Sequence, residues 1–318
     1  MPNILMTMAE DTAATSSRHF GIKYSVDEHD CLHFAHSLTT LGYQVYFVNW
    51  LDLNGGEFER MFSFSASEFV APVPLREMDL IFVYKMEGFL SEVPRFDRML
   101  DRFSGLNVIN DVETIRHNLD KSYLWELSAG GIETIPSYRI GEAIGRVSSG
   151  ERLVIKPLKG ERGKGIFVAK SASDLAFIRG SEDQWFAQEF MPGIRDGERS
   201  LVFLGREYQH AVIKYPCRKD PNEFRCNESL GGTVAVYEPT ADELAFAGRV
   251  LHAYEALGYP VHFSRVDLLQ SGQGPVLIEA ELLNPSVYAN HSSKGKRFGD
   301  QIAAYFDQFV RTRQKPLT

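Results

Sequence analysis

The stretch that most constrains this chain is residues 153 to 170, Leu-Val-Ile-Lys-Pro-Leu-Lys-Gly-Glu-Arg-Gly-Lys-Gly-Ile-Phe-Val-Ala-Lys. Two β-rich runs, Leu153–Ile155 and Ile166–Ala169, flank a loop holding Gly160, Gly163 and Gly165. Glycines let a backbone take positive φ and bring N–H groups close to an anion. Lys156, Lys159, Arg162 and Lys164 surround those amides with positive charge, in a chain whose formal net charge is −8. Such a loop suits a polyphosphate; taken alone, it equally suits a flexible hairpin with solvated lysines. It is not a P-loop, because Ile166 stands where that motif needs a hydroxyl. Nor is it a dinucleotide fingerprint, since a strand rather than a helix follows.

The 318 residues can hold two or three domains, and 44% hydrophobic with 24% charged residues describes an ordinary globular protein. The acidic balance and the lack of an aromatic–basic platform argue against nucleic acid. Cys31, Cys217 and Cys226 lack metal spacing and cannot all pair, which suits a reducing, cytoplasmic setting. The N-terminus turns acidic at Glu10-Asp11, too soon for a signal peptide, and no apolar run approaches membrane length.

Strands are expected at Ile4–Met8, Gln44–Val48, Leu80–Tyr84 and Asn107–Ile109, alternating with helices over Ser25–Leu41 and Phe96–Phe103. That alternation implies a parallel α/β sheet with its ligands at the carboxyl ends of strands. Glu10, Asp11, Ser16, Lys85, Asn110 and Asp111 therefore become candidates to line a pocket. Asp120–Leu127 reads as one amphipathic helix, the stretch from Arg139 to Gly150 as poorly patterned, and Ser173–Ile178 as a helix. Gln184–Phe190 is a strand; Glu198–Leu204 and Glu207–Lys214 form a hairpin. Thr240 and Glu243 make a capping box for a helix ending at Gly258. His262–Leu269 and Val276–Ala280 are two more strands, and a last helix covers about Lys296–Val310.

Asp267, Glu279 and Glu281 lie on these last strands, where positions i and i+2 share a face. Three carboxylates in apolar surroundings need compensation. A hard divalent cation, Mg²⁺ above all, supplies it; Arg265, Arg225 or Lys214 would supply it as well. Between hairpin and strands lies Asn222 to Thr233, with Arg225, Asn227 and the bend Gly231-Gly232. A guanidinium there can hold a phosphoryl group or carboxylate at two points, although an Arg paired with Glu223 or Glu228 is the simpler reading of the segment alone.

Taken in order, Lys121, Lys156-Pro157, the glycine loop, Gln188 to Pro192, Glu198-Arg199, Phe224-Arg225-x-Asn227 with Gly231-Gly232, and Asp267…Glu279-x-Glu281 resemble the ATP-grasp superfamily. The similarity is to glutathione-synthetase-like carboxylate–amine ligases, and residues 197–214 are similar also to the cyclo-ligase that closes the cycloserine ring. The resemblance covers roughly Asn110 to Ser286 and implies an α/β (α+β) ATP-grasp fold. Its parts would be an N-terminal parallel α/β substrate domain (1–112), a central lid (113–187) and a C-terminal antiparallel-sheet subdomain (188–318). It implies ATP and Mg²⁺ as cofactors. Lys121, Lys156 and Lys164 with Gly160, Gly163 and Gly165 would face the phosphates. Gln188, Glu189, Phe190 and Met191 would hold adenine, and Glu198-Arg199 would serve the ribose. Arg225, Lys156 and Asn227 would be catalytic, and Asp267, Glu279 and Glu281 would bind metal. Glu281 departs from the asparagine of glutathione synthetase, and Asn284 is the alternative donor. Lys85, Lys214, Arg225, Gly231, Gly232, Glu10 and Asn284 would meet the substrate. The implied activity is ADP-forming ligation of small amino-acid-like molecules through an acyl phosphate, by a protein that works without membrane or nucleic acid and is a possible homodimer. The alternatives are an intramolecular cyclo-ligase and a non-catalytic ATP-binding module.

Overall fold

In the computed structural model the described residues are 1–8, 30–54, 57–86, 88–283, 285–289 and 298–313. The first layer is built on β1 (Asn3–Met8), which lies between β2 (Gln44–Asn49) and β7 (Leu80–Phe82), all parallel, with β8 (Val108–Ile109) beyond β7. Alternation along β1 sends Ile4 and Met6 to one face and Leu5 to the other. Helix α1 (Asp30–Thr40) covers the first face through Phe34 and Leu38, and α2 (Val93–Phe103) covers the second through Phe96, Met99 and Phe103. Burial on both faces is why these strands read as continuous apolar runs. Two short hairpins escape the sequence pattern. They are β3 (Leu53–Asn54) with β4 (Glu57–Phe58), and β5 (Met61–Ser63) with β6 (Glu68–Val70). The second extends the sheet antiparallel to β2, its strands too short to show a period of two.

The expected helix Asp120–Leu127 begins only at Tyr123, as α4 (Tyr123–Ala129), and a separate, unexpected helix, α3 (Val112–Asn118), precedes it. Lys121 sits in the break, not on a helix: its N–H donates to the Leu158 carbonyl (2.9 Å), and Asp120 Oδ1 accepts from the N–H of Ser122 (2.9 Å). The tertiary bond to the next sheet replaces a helical one. In that sheet β9 (Ser137–Arg139), β10 (Leu153–Pro157), β11 (Phe167–Ala169) and β12 (Trp185–Glu189) run antiparallel in the order β11-β10-β12-β9. The stretch that lacked pattern is a helix, α5 (Ile140–Ser148). Gly141 and Gly145 mask its propensity, while Ile140, Ala143 and Val147 pack on Leu153 and Ile155. Residues Ala172–Ile178 form a 3₁₀ helix rather than an α-helix.

The third sheet has the order β15-β14-β13-β16-β17, antiparallel throughout. Its strands are β13 (Glu198–Leu204), β14 (Glu207–Tyr215), β15 (Thr233–Tyr237), β16 (Phe263–Ser271) and β17 (Gly274–Glu281). Helix α6 (Ala241–Ala256) packs on it through Phe246, Val250 and Tyr254, its start fixed by the Thr240–Glu243 capping box. The last helix, α7 (Phe298–Arg313), returns to the first sheet, where Ile302 and Phe306 share a core with Ile4 and Phe34. Among the described residues no helix is long and apolar enough to cross a membrane.

Two buried asparagines join these layers. Asn110 Nδ2 donates to the carbonyls of Phe263 (2.7 Å) and Leu282 (2.5 Å), and its Oδ1 accepts from the N–H groups of His262 and Phe263 (2.9 Å each). Asn118 Nδ2 donates to the Ala280 carbonyl (2.7 Å), and its Oδ1 accepts from Leu282 N–H (2.8 Å). Asn110→Ala would strand several buried backbone groups, each costing roughly 1–3 kcal/mol when unpaired. We expect a stability loss of about 3 kcal/mol or more by urea unfolding; a loss under about 1 kcal/mol would show that the joint is dispensable.

Candidate active site

The acidic face of the third sheet is set by register. Asp267 on β16 lies directly opposite Glu279 on β17, and Arg265 opposite Glu281. Asp267 is 2% exposed. Arg265 spans its two oxygens (2.8 Å each), Ser200 Oγ donates to Oδ1 (2.5 Å), and Lys214 Nζ lies 3.7 Å from Oδ2. Burial pushes the Asp267 carboxyl up, but Arg265 and Lys214 outweigh it and hold the group below the usual carboxylate range. The same opposition holds at Glu279, where burial is overcome by Lys121, 3.0 Å away. Lys214 also pairs with Glu198; burial draws its pKa down, and Asp267 and Glu198 raise it above the ordinary lysine value.

Lys156, on β10 facing this surface, is different. Among the described residues it has no ion pair, and burial pulls its pKa down to about 8. It lines a cavity of about 300 Å³ between the second and third sheets, to whose walls the described residues contribute eight Lys or Arg and six Asp or Glu side chains. In a protein of net charge −8, an excess of two cations at one buried wall marks a site for an anion.

The glycine loop closes one side of the cavity through two cationic bonds. Lys121 Nζ donates to the Gly160 carbonyl (2.9 Å) as well as pairing with Glu279, and Arg225 Nη1 donates to the Gly163 carbonyl (3.2 Å). Gly163 has φ +71°, and a Cβ there would lie 2.7 Å from Asn227 Oδ1, so a side chain is excluded twice. Gln188 to Met191 line the opposite wall together with Phe224, whose ring meets Phe190 edge-on at 5.9 Å. Gln188 Nε2 donates to Ser137 Oγ (3.0 Å), while its Oε1 is buried with no hydrogen-bond partner among the described residues.

The structure thus gathers at one cavity Lys85, Lys121, Lys156, Gly160, Gly163, Lys164, Gln188, Glu189, Phe190, Met191, Glu198, Lys214, Arg225, Asn227, Asp267, Glu279 and Glu281. It does not bring Arg199 there. Strand alternation turns Arg199 to the other face, 3.5 Å from Glu243. Gly165 packs against Trp185 and Pro157, and Gly231 and Gly232 lie against Cys217 and the Cys226 carbonyl, away from the wall. Glu10 and Asn284 lie outside the described residues. Arg265, expected only as a partner for the carboxylates, lines the cavity as well, together with Ser286 and Tyr288 from the 286–290 stretch expected to carry substrate specificity. The position of Arg265 two residues before Asp267 on a strand was the available signal.

Asp267, Glu279 and Glu281 supply the hard oxygen donors that Mg²⁺ takes. Among the described residues no group of three or more His, Cys, Asp or Glu is gathered as ligands, and Arg265 and Lys121 are paired with Asp267 and Glu279. The donor chemistry fits a divalent cation, with Lys121 the group that would yield.

Residues 134–285 match the family model described as "Prokaryotic glutathione synthetase, ATP-grasp domain". A "Probable alpha-L-glutamate ligase" of Chromohalobacter salexigens is 28% identical over 170 residues, 52% of this chain and 53% of that protein. A second, from Cellvibrio japonicus, is 27% identical over 255 residues, 74% of this chain and 80% of its own. The match to the first therefore spans about half of that relative's length. Among solved structures, D-cycloserine synthetase DcsG superposes with TM-score 0.72 at 19% identity over 97% of this chain and 99% of its own. D-alanyl-alanine synthetase A of Vibrio cholerae does so with TM-score 0.64 at 13% identity over 98% of each. Two antiparallel sheets around one cavity, one bearing a glycine loop and the other an acidic face, make up the fold that this chain shares with those ATP-grasp structures. Residues 134–285 are thus similar to the ATP-grasp domain of prokaryotic glutathione synthetases.

The buried charge of Lys156 costs stability below pH 8 and is relieved as the folded protein deprotonates between about 8 and 10.5, ahead of the unfolded chain. Lys156→Met should therefore raise stability at pH 7 by on the order of 1–3 kcal/mol, with the gain shrinking toward pH 10. Urea unfolding at the two pH values checks this. A variant less stable than the parent at pH 7 would contradict it.

Proposed function

We propose that this protein is an ATP-dependent, ADP-forming ligase that joins a carboxylate to an amine on small amino-acid-like molecules. The observation that carries the reading is Lys156, half-buried and without an ion pair among the described residues, set in the cavity wall and near the carboxylates of Asp267 and Glu279. A carboxylate is a poor acyl donor because resonance stabilises it and its oxyanion leaves badly. Transfer of a γ-phosphoryl group from ATP makes an acyl phosphate, which an amine then displaces, releasing phosphate.

In this chain's terms, Lys156 and Lys121 would neutralise phosphate charge, and Gln188 to Met191 would seat the base in an apolar slot. Glu198 would accept from the ribose, and Arg225 would stabilise the transferred phosphoryl group. Asp267, Glu279 and Glu281 would hold Mg²⁺, which would supply charge neutralisation and alignment. The glycine loop, tied to the site through Gly160 and Gly163, would keep water from the acyl phosphate. Lys214, Lys85 and Arg265 are the groups available to a substrate carboxylate. The glutamate and D-alanine chemistry in the names of the relatives supports an amino acid as the substrate class.

A screen of amino-acid pairs for ADP release, followed by product mass, tests the reading. Joined products support intermolecular ligation, and loss of one water from a single substrate identifies ring closure. Arg225→Ala should lower turnover on the order of 100-fold or more, because such charge clamps are each worth a few kcal/mol. ADP release near the parent rate would remove Arg225 from the reaction.

A further inference from the structure

Arg225 belongs to a stretch that has no sheet ladder to hold it, since residues 216–227 lie outside every strand and helix. A long side chain on such a segment would sample many rotamers, and a charge clamp that is not pre-oriented loses most of its value. The structure meets this with one carboxylate. Glu223 Oε1 accepts from the backbone N–H groups of Phe224 (3.0 Å) and Arg225 (2.9 Å) and from Arg225 Nε (2.9 Å). Its Oε2 accepts from Arg225 Nη2 (2.7 Å). A single side chain therefore folds the turn and clamps one whole edge of the guanidinium. Both members are partly shielded, at 26% and 12% exposure, so the pair keeps strength that a surface ion pair loses.

The clamped edge is Nε–Nη2, which leaves Nη1 to project the other way, and Nη1 is the atom that donates to the Gly163 carbonyl of the glycine loop. Asn227, two residues on, fills the space beside Gly163 where a Cβ would stand. The turn thus meets the loop at adjoining points and carries Arg225 to the cavity wall.

We infer that Glu223 is a positioning residue that aims Arg225 and, through it, latches the glycine loop over the cavity. The catalytic half of this inference rests on the ligase reading; the latch does not. Glutamine at 223 keeps the shape and can accept at one oxygen, but its amide sets a donor against Arg225 Nη2. The clamp would loosen while the turn survives.

Two measurements decide it on Glu223→Gln, Arg225→Ala and the double variant, each first shown to unfold at the parent's denaturant midpoint. Trypsin cleavage within 159–164 reads the latch without any turnover. Both single variants should be cut several-fold faster than the parent, and the double variant no faster than Arg225→Ala. Steady-state ADP release reads the aim. Glu223→Gln should lose about tenfold or more in kcat with KM for ATP within about threefold, and should have no further effect in the Arg225→Ala background. Parent-like cleavage of Glu223→Gln overturns the latch. Equal kcat losses from Glu223→Gln with and without Arg225 overturn the positioning role. Should the parent release no ADP with any substrate pair, the ligase reading falls, while the cleavage comparison still decides the latch.

Discussion

The site depends on two carboxylates held opposite each other on neighbouring strands, Asp267, which is buried, and Glu279, which is half-buried. Left alone they would protonate or push the strands apart. Arg265 and Lys214 on one side and Lys121 on the other prevent that, and each of these cations is thereby drawn into a fixed place. Lys121 is the instructive case. It lies in a break between two short helices, anchored by its own N–H to the second sheet, and its ammonium reaches both Glu279 and the glycine loop. One side chain thus connects all three parts of the cavity.

Against that balanced background Lys156 stands out by having no partner among the described residues. Folding has retained a buried charge that costs free energy, at the wall where cations exceed anions. A charge that burial disfavours more than the nearby carboxylates restore it gains when a further anion arrives, which is a physical reason to look for phosphate there. The latch at Gly163 and the bond at Gly160 describe how such an anion would be covered, and both use backbone carbonyls, so they are insensitive to the loop's side chains.

Much of this was legible beforehand because it depends on local rules. The strand period put Asp267, Glu279 and Glu281 on one face, and the capping box marked the start of α6 within a residue. The glycine loop between two strands needed only its own residues to be recognised. Where the reading failed, the local signal was weak or was overridden. Helix α5 was hidden by Gly141 and Gly145, and is held by packing against Leu153 and Ile155 rather than by propensity. The break at Lys121 exists because a carbonyl of the second sheet offers a better partner than the next helical turn. Arg199 sits beside Glu198 in the sequence, yet alternation puts it on the far face with Glu243.

The amino-acid sequence by itself therefore determined most of the elements, the sheet class and most of the residues that gather at the cavity, because those follow from period, turn chemistry and charge along short stretches. Only the tertiary structure decided which cation balances which carboxylate. It also decided that Arg225, while paired with Glu223 rather than Glu228, still reaches the carbonyl of Gly163, and that the last helix returns to cover the first sheet. Those outcomes depend on distances between segments 40 to 300 residues apart or on the path of an irregular turn. Neither is written in any local pattern.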